Sequence, residues 1–91
     1  MLKQPPNDPY ALALMALAMT LSDERRAQRF LDLTGIETNE LRLRAADPDL
    51  LTALIRFLEA HEPDLLAVSE RIGVSAEALV AARRHIEGSS R

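Results

Sequence analysis

The chain has 91 residues, of which 47% are apolar and 27% charged, and a formal net charge of −3. That is enough for one hydrophobic core and too few for two, and the balance excludes a disordered chain. The absence of cysteine excludes disulfides, thiolate metal sites and thiol catalysis, and the negative charge gives no electrostatic reason to expect nucleic acid or an anionic membrane.

Leu and Ala dominate the apolar set, and Tyr10, Phe30 and Phe57 are the only aromatics. Helix is therefore favoured over sheet throughout. The expected fold is all-α: a compact single-domain orthogonal bundle of five to six short helices. Residues 1–7 read as a Pro-containing lead-in, 8–88 as the helical domain and 89–91 as a frayed tail. The first seven residues do not resemble a secretory signal, and the uncharged run from Tyr10 to Leu21 is too short to span a bilayer. A cytoplasmic protein with no membrane association is expected.

Asp8-Pro9 predicts the start of a helix over 9–20, with Asp8 as cap and Pro9 at the first helical position. Leu12, Leu14, Met15, Leu17 and Met19 point nearly all round it, so it is expected to be the central helix, covered within one chain. Coverage of one face by a partner chain is the alternative. Ser22-Asp23-Glu24 opens a second helix, with Ser22 as the expected cap and Phe30, Leu31 and Leu33 as its apolar side. Gly35 ends it. Thr38 is expected to cap a short third helix with Leu41 and Leu43, although the alternation Leu41-Arg42-Leu43-Arg44 also permits a strand.

Asp47-Pro48 repeats the helix start, and Leu50, Leu51, Leu54, Ile55, Phe57 and Leu58 form a broad apolar stripe behind it. Glu62-Pro63 begins a fifth helix that Gly73 ends. Ser75 is expected to cap a sixth, with Leu79, Ala82 and Ile86 on one face and Gly88 as its end. Gly35 and Gly73 mark a weak internal echo: each is followed by an apolar residue and then a leucine six positions on, Leu41 and Leu79.

The sharpest motif is Val68-Ser69-Glu70-Arg71-Ile72-Gly73-Val74-Ser75 with Leu79, which has the spacing of a DNA-binding helix-turn-helix. Its physics is only a tight crossing of two helices. As a DNA reader over residues 65–87 it would use Ser75, Arg83 and Arg84, but Glu77 would repel phosphate and Ala76 and Ala81 offer only methyl groups. Nucleic acid is not the favoured partner. Arg25, Arg26 and Arg29 form the densest basic patch, a candidate site for an anion or an acidic partner, with Asp23, Glu24 and Asp32 near enough in sequence to neutralise it. His61 and His85 each fall near an expected helix C-terminus, where the dipole favours them. His61-Glu62-Pro63 is not the zinc motif His-Glu-x-x-His. The serines all have capping, surface or tail explanations, and no glycine-rich phosphate loop exists. No catalytic residue, cofactor or metal is expected.

The blocks Ala11-Leu12-Ala13-Leu14-Met15-Ala16-Leu17-Ala18 and Arg29-Phe30-Leu31-Asp32-Leu33-Thr34-Gly35-Ile36 carry a family resemblance. So do Leu41-Arg42-Leu43-Arg44-Ala45-Ala46-Asp47-Pro48 and the Gly73-Val74 hairpin. Over about residues 8–87 the chain resembles a small alphaproteobacterial family of unknown function, most specifically in its Phe-Leu-x-Leu-Thr-Gly block. The resemblance implies a small cytoplasmic helical protein and supplies no activity or site residues. The favoured function is a non-catalytic protein-interaction module, self-association included, with Leu43 and Val80 as candidate contacts outside the core. The rivals are the helix-turn-helix DNA binder and a small subunit or regulator of an enzyme.

Overall fold

Helix starts and stops written into the sequence divide the chain into six segments. The computed structural model describes residues 7–89, and these form α1 (Pro9–Leu21), α2 (Glu24–Thr34), α3 (Thr38–Leu43), α4 (Pro48–Glu59), α5 (Glu62–Ile72) and α6 (Ala76–Ser89), with no strand among them. Most of the lead-in, residues 1–6, and the tail residues 90 and 91 lie outside the described residues. None of the described helices is long and apolar enough to cross a membrane.

The two Asp-Pro starts work alike. Asp8 accepts a hydrogen bond from the Tyr10 amide and Asp47 one from the Asp49 amide, while each proline occupies a position whose N–H would have no helical partner. The cap of α2 is Asp23, which accepts from the Arg26 amide; Ser22, expected in that role, instead donates to the Met19 carbonyl at the end of α1. At α3 the cap is Glu37 rather than Thr38, and Glu40 reaches back to the Glu37 amide. The echo between the two glycine turns is therefore partial. Gly35 and Gly73 both take the left-handed conformation, at φ of 71° and 89°, and Leu41 and Leu79 are both buried. Only Ser75 acts as the hydroxyl cap, accepting from the Ala78 amide.

Gly88 does not end α6. The helix continues to Ser89, whose hydroxyl lies within hydrogen-bond distance of the His85 and Ile86 carbonyls and of the Tyr10 hydroxyl. Those bonds satisfy carbonyls that a helix end leaves free, and they tie the last helix to the first.

α1 packs against α2, α4, α5 and α6, and α4 against α1, α5 and α6. The core fills with Leu12, Leu17, Leu50, Leu51, Leu54, Ile55, Leu58, Val68, Leu79 and Ile86, and Phe30 meets Phe57 edge to face at 5.4 Å. Ala13 and Ala16 on α1 are fully buried, so the neighbouring helices approach its backbone closely. The radius of gyration, 12.3 Å, is that of one domain of this length.

One chain does not cover α1 completely, however. Leu14, Met15 and Ala18 stay exposed along one side. α2 also departs from expectation: its inner stripe is Arg26, Ala27, Phe30, Leu31 and Thr34, and Leu33 falls on the outer side with Arg25, Arg29 and Asp32. The cause is helical spacing, because a stripe centred on Phe30 and closed by Thr34 leaves position 33 turned away. Leu54 lies at the centre of the core with no exposed surface. Leu54→Ala is expected to destabilise the fold by about 2–5 kcal/mol, measured by denaturant unfolding.

Candidate functional site

The seam between α2 and α5 is built on one carboxylate. Asp64 sits in the first turn of α5 and is buried, and it accepts from Nε of Arg26 at 2.8 Å, from the Arg29 guanidinium, and from His61 Nδ1 at 2.9 Å. Burial pushes the Asp64 carboxyl up, but the hydrogen bonds from Arg26, His61 and Arg29 outweigh it and hold the group below its ordinary value of 3.8. An ionised carboxylate only accepts, so His61 must donate from Nδ1. The Arg29 guanidinium also lies over the Phe57 ring, 5.4 Å from its centroid.

This arrangement answers the basic patch read from the sequence. Arg26 and Arg29 are bound to Asp64, a residue 35 positions or more away in the chain, and not mainly to the nearby acids. Arg25 alone of the three points to solvent without such a partner among the described residues. His61 lies near a helix C-terminus as expected, just past the end of α4, where its amide donates to the Leu58 carbonyl. It is also the N-cap position of α5, and its ring turns to Asp64 and not to the end of α4.

A histidine oriented by a buried aspartate is half of a hydrolytic site, and the other half is a nucleophile. The described serine hydroxyls are committed elsewhere: Ser22 to the Met19 carbonyl, Ser69 to the Leu66 carbonyl, Ser75 to the Ala78 amide and Ser89 to the end of α6. No group of three His, Asp or Glu able to hold a metal ion occurs among the described residues.

A second polar seam joins α4 and α6. Arg83 gives Nε to Glu59 at 2.5 Å and Nη1 to Glu87 at 2.7 Å, and Arg56 grips the other oxygen of Glu87 at 2.7 Å. Glu59 foremost, with Glu87, raises the Arg83 pKa further above its already high value. Arg83 is itself buried. It is therefore unavailable to a phosphate, and its proposed role in reading nucleic acid is corrected: it is the ionic clasp between two helices.

The hairpin of α5 and α6 makes the expected tight crossing. The Ser69 carbonyl accepts from the amides of Gly73 and Val74, and Leu79 is fully buried between the helices. α6 turns Leu79, Ala82, Arg83 and Ile86 inward, leaving Glu77, Ala81, Arg84 and His85 outside. Ser75 is exposed but occupied as a cap.

Two recesses flank that outer side and share Ala81 as their common wall. One, of 360 Å³, lies between Pro9 and Leu12 of α1 and Val74, Ala78 and His85. The other, of 530 Å³, is lined by Leu65, Ala76 and Val80, with Glu62, Glu77 and Arg84 around it. Val80 is thus half-buried in a recess, while Leu43, the last residue of α3, is 87% exposed. A shallower recess of 440 Å³ is formed by Arg29, Asp32, Leu33 and Phe57.

Sequence reading missed Asp64, placed Leu33 on the inner side of α2, and held an uncovered face of α1 only as the alternative. Asp64 had a signal: Arg26 lies four residues before Phe30 on the buried stripe, and an inward guanidinium requires a buried acid.

Asp64→Asn keeps the volume and removes the charge that two arginines and a histidine share. It is expected to lower stability by about 1–3 kcal/mol at neutral pH, read by urea unfolding. Because the folded-state pKa of Asp64 is depressed, its contribution is present above its ordinary value and is lost as pH falls through the depressed one. The stability gap between the variant and the natural protein should therefore close only in strong acid, and a gap unchanged there would refute the role of the charge.

No curated protein and no solved structure matches the chain. A family model described as Protein of unknown function (DUF3572) matches residues 6–89, which takes in all six helices, both ionic seams and the hairpin. The chain therefore belongs to the DUF3572 family.

Proposed function

We propose that this protein is a non-catalytic protein-interaction module of the bacterial cytoplasm, and that the outer side of α1 is its docking face. The observation that carries the proposal is the character of that side. α1 has no charged residue along its 13 positions, and it leaves Leu14, Met15 and Ala18 in solvent at helical spacing. Single exposed apolar residues are ordinary on a protein surface, whereas an uncharged stripe on the helix that touches four others is an unfinished packing surface. A partner helix laid along it would complete the cover.

Leu43 on α3 is a further exposed apolar side chain. The lack of cysteine suits a reducing compartment. The commitment of the serine hydroxyls supports a binding role over a catalytic one. Against the DNA-reading alternative, Arg83 is bound to Glu59 and Glu87, and Glu77 stands in the first turn of α6.

The test is affinity capture of the tagged protein from lysate of its native host, with and without nuclease, beside a Met15→Glu variant. Met15 is already 38% exposed, so the variant should keep its melting temperature. A specific protein that survives nuclease and is lost from the variant is the expected result. Recovery of nucleic acid, or equal capture by both forms, would reject the α1 face.

A further inference from the structure

We infer that the protein also pairs with a second copy of itself, each copy seating the outer stripe of α2 in the recess between α5 and α6 of the other. This contact is separate from the α1 face and goes beyond it. Both halves of the contact are present on the chain.

The stripe consists of Arg25, Arg29 and Leu33, spaced four residues apart, with Asp32 beside them. Leu33 is an apolar knob 72% exposed near the end of α2. The recess offers the complementary surface. Its apolar lining includes Leu65 and Val80, and its volume of 530 Å³ exceeds what a leucine side chain occupies. Around it stand two acids, Glu62 and Glu77, and one base, Arg84. One base unpaired among the described residues, Arg25, and a leucine on α2, with Asp32 beside them and Arg29 already bound to Asp64, thus face two acids, a base and an apolar hollow.

The state of these charges supports the fit. Where the fold needs ion pairs it makes them at seams, through Asp64 and Arg83. Arg25, Glu62, Glu77 and Arg84 take part in no such pair among the described residues. The two surfaces also adjoin. Arg29 binds Asp64 in the first turn of α5, and Glu62 opens that same turn. Neighbouring patches of opposite charge are self-complementary about a twofold axis, so each contact is made twice. Each is small and bordered by exposed charges, which makes the pair weak and salt-sensitive.

The experiment is sedimentation velocity across the micromolar range at low and high salt. Concentration-dependent dimers that weaken with salt are expected. Leu33→Glu, Arg25→Glu or Glu77→Arg alone should each weaken pairing by about tenfold, because symmetry counts every lost contact twice. The double reversal Arg25→Glu with Glu77→Arg should restore it. Leu33, Arg25 and Glu77 are exposed, so circular dichroism should show an unchanged fold. The chain has no cysteine of its own, so a Leu33→Cys, Ala81→Cys double variant should form disulfide-linked dimers under mild oxidation. A monomer at every concentration, or a dimer indifferent to both charge reversals, would overturn the inference. A dimer lost only with Met15→Glu would do so too, while leaving the α1 docking face standing. Capture of a partner by a strictly monomeric protein would likewise separate the two readings.

Discussion

A chain of this size with three aromatic residues must fill its core from leucine, isoleucine and alanine, and everything else in the structure follows from how it does so. Small side chains fill space only if backbones come close. Ala13 and Ala16 on α1, fully buried, and Ala82 on α6, nearly so, mark where they do. Close approach brings more atoms within dispersion range and leaves no room for polar groups without partners. Accordingly, no buried side-chain nitrogen or oxygen among the described residues lacks a hydrogen bond. Thr20 shows the principle in one residue: it is fully buried, and its hydroxyl donates to the Ala16 carbonyl of its own helix.

Close packing also explains the two ionic seams. Where apolar residues run out between elements, a buried charge is tolerable only with several partners. Asp64 has two arginines and a histidine around it, and Arg83 has two glutamates. The Asp64 cluster ties α2 to α5, and the Arg83 cluster ties α4 to α6. α2 buries only Phe30 completely, and so the Asp64 cluster sets its orientation as much as apolar packing does. These charges specify arrangement more than they add stability, because removing two charges from water costs much of what their attraction returns.

Much of the architecture was legible from local chemistry. The Asp-Pro starts, the two left-handed glycines and the stripe on α4 act at short range, and all six helices follow from them. What resisted reading depends on distant residues. Ser22 and Asp23 both have the chemistry of a cap, and the choice between them is made by where α1 ends. Gly88 would stop an isolated helix, but Ser89 finds Tyr10 across the bundle and α6 continues. The outer face of α1 was illegible for a related reason. Leu14 and Met15 are as apolar as Leu12 and Leu17, and only the number of neighbouring helices decides which pair is covered.

The hairpin of α5 and α6 shows how packing alone can account for the spacing of a motif. Its spacing is that of a DNA-reading module, and four residues of the motif act structurally. Ser69 and Gly73 close the turn, Ser75 caps the next helix and Leu79 fills the crossing. A recognition helix must leave its basic residues free for phosphate, whereas α6 spends Arg83 on Glu59 and Glu87 and exposes Glu77 instead. The same tight crossing leaves Ala76, Val80 and Ala81 beside Leu65, too small to fill the space between the first turns of the two helices. A geometry that elsewhere presents a helix to a groove here presents a groove of its own, bordered by acids. An apolar side chain carried among basic ones has the chemistry that would fit such a surface, and Leu33 with Arg25 on α2 offers it in the pairing we propose.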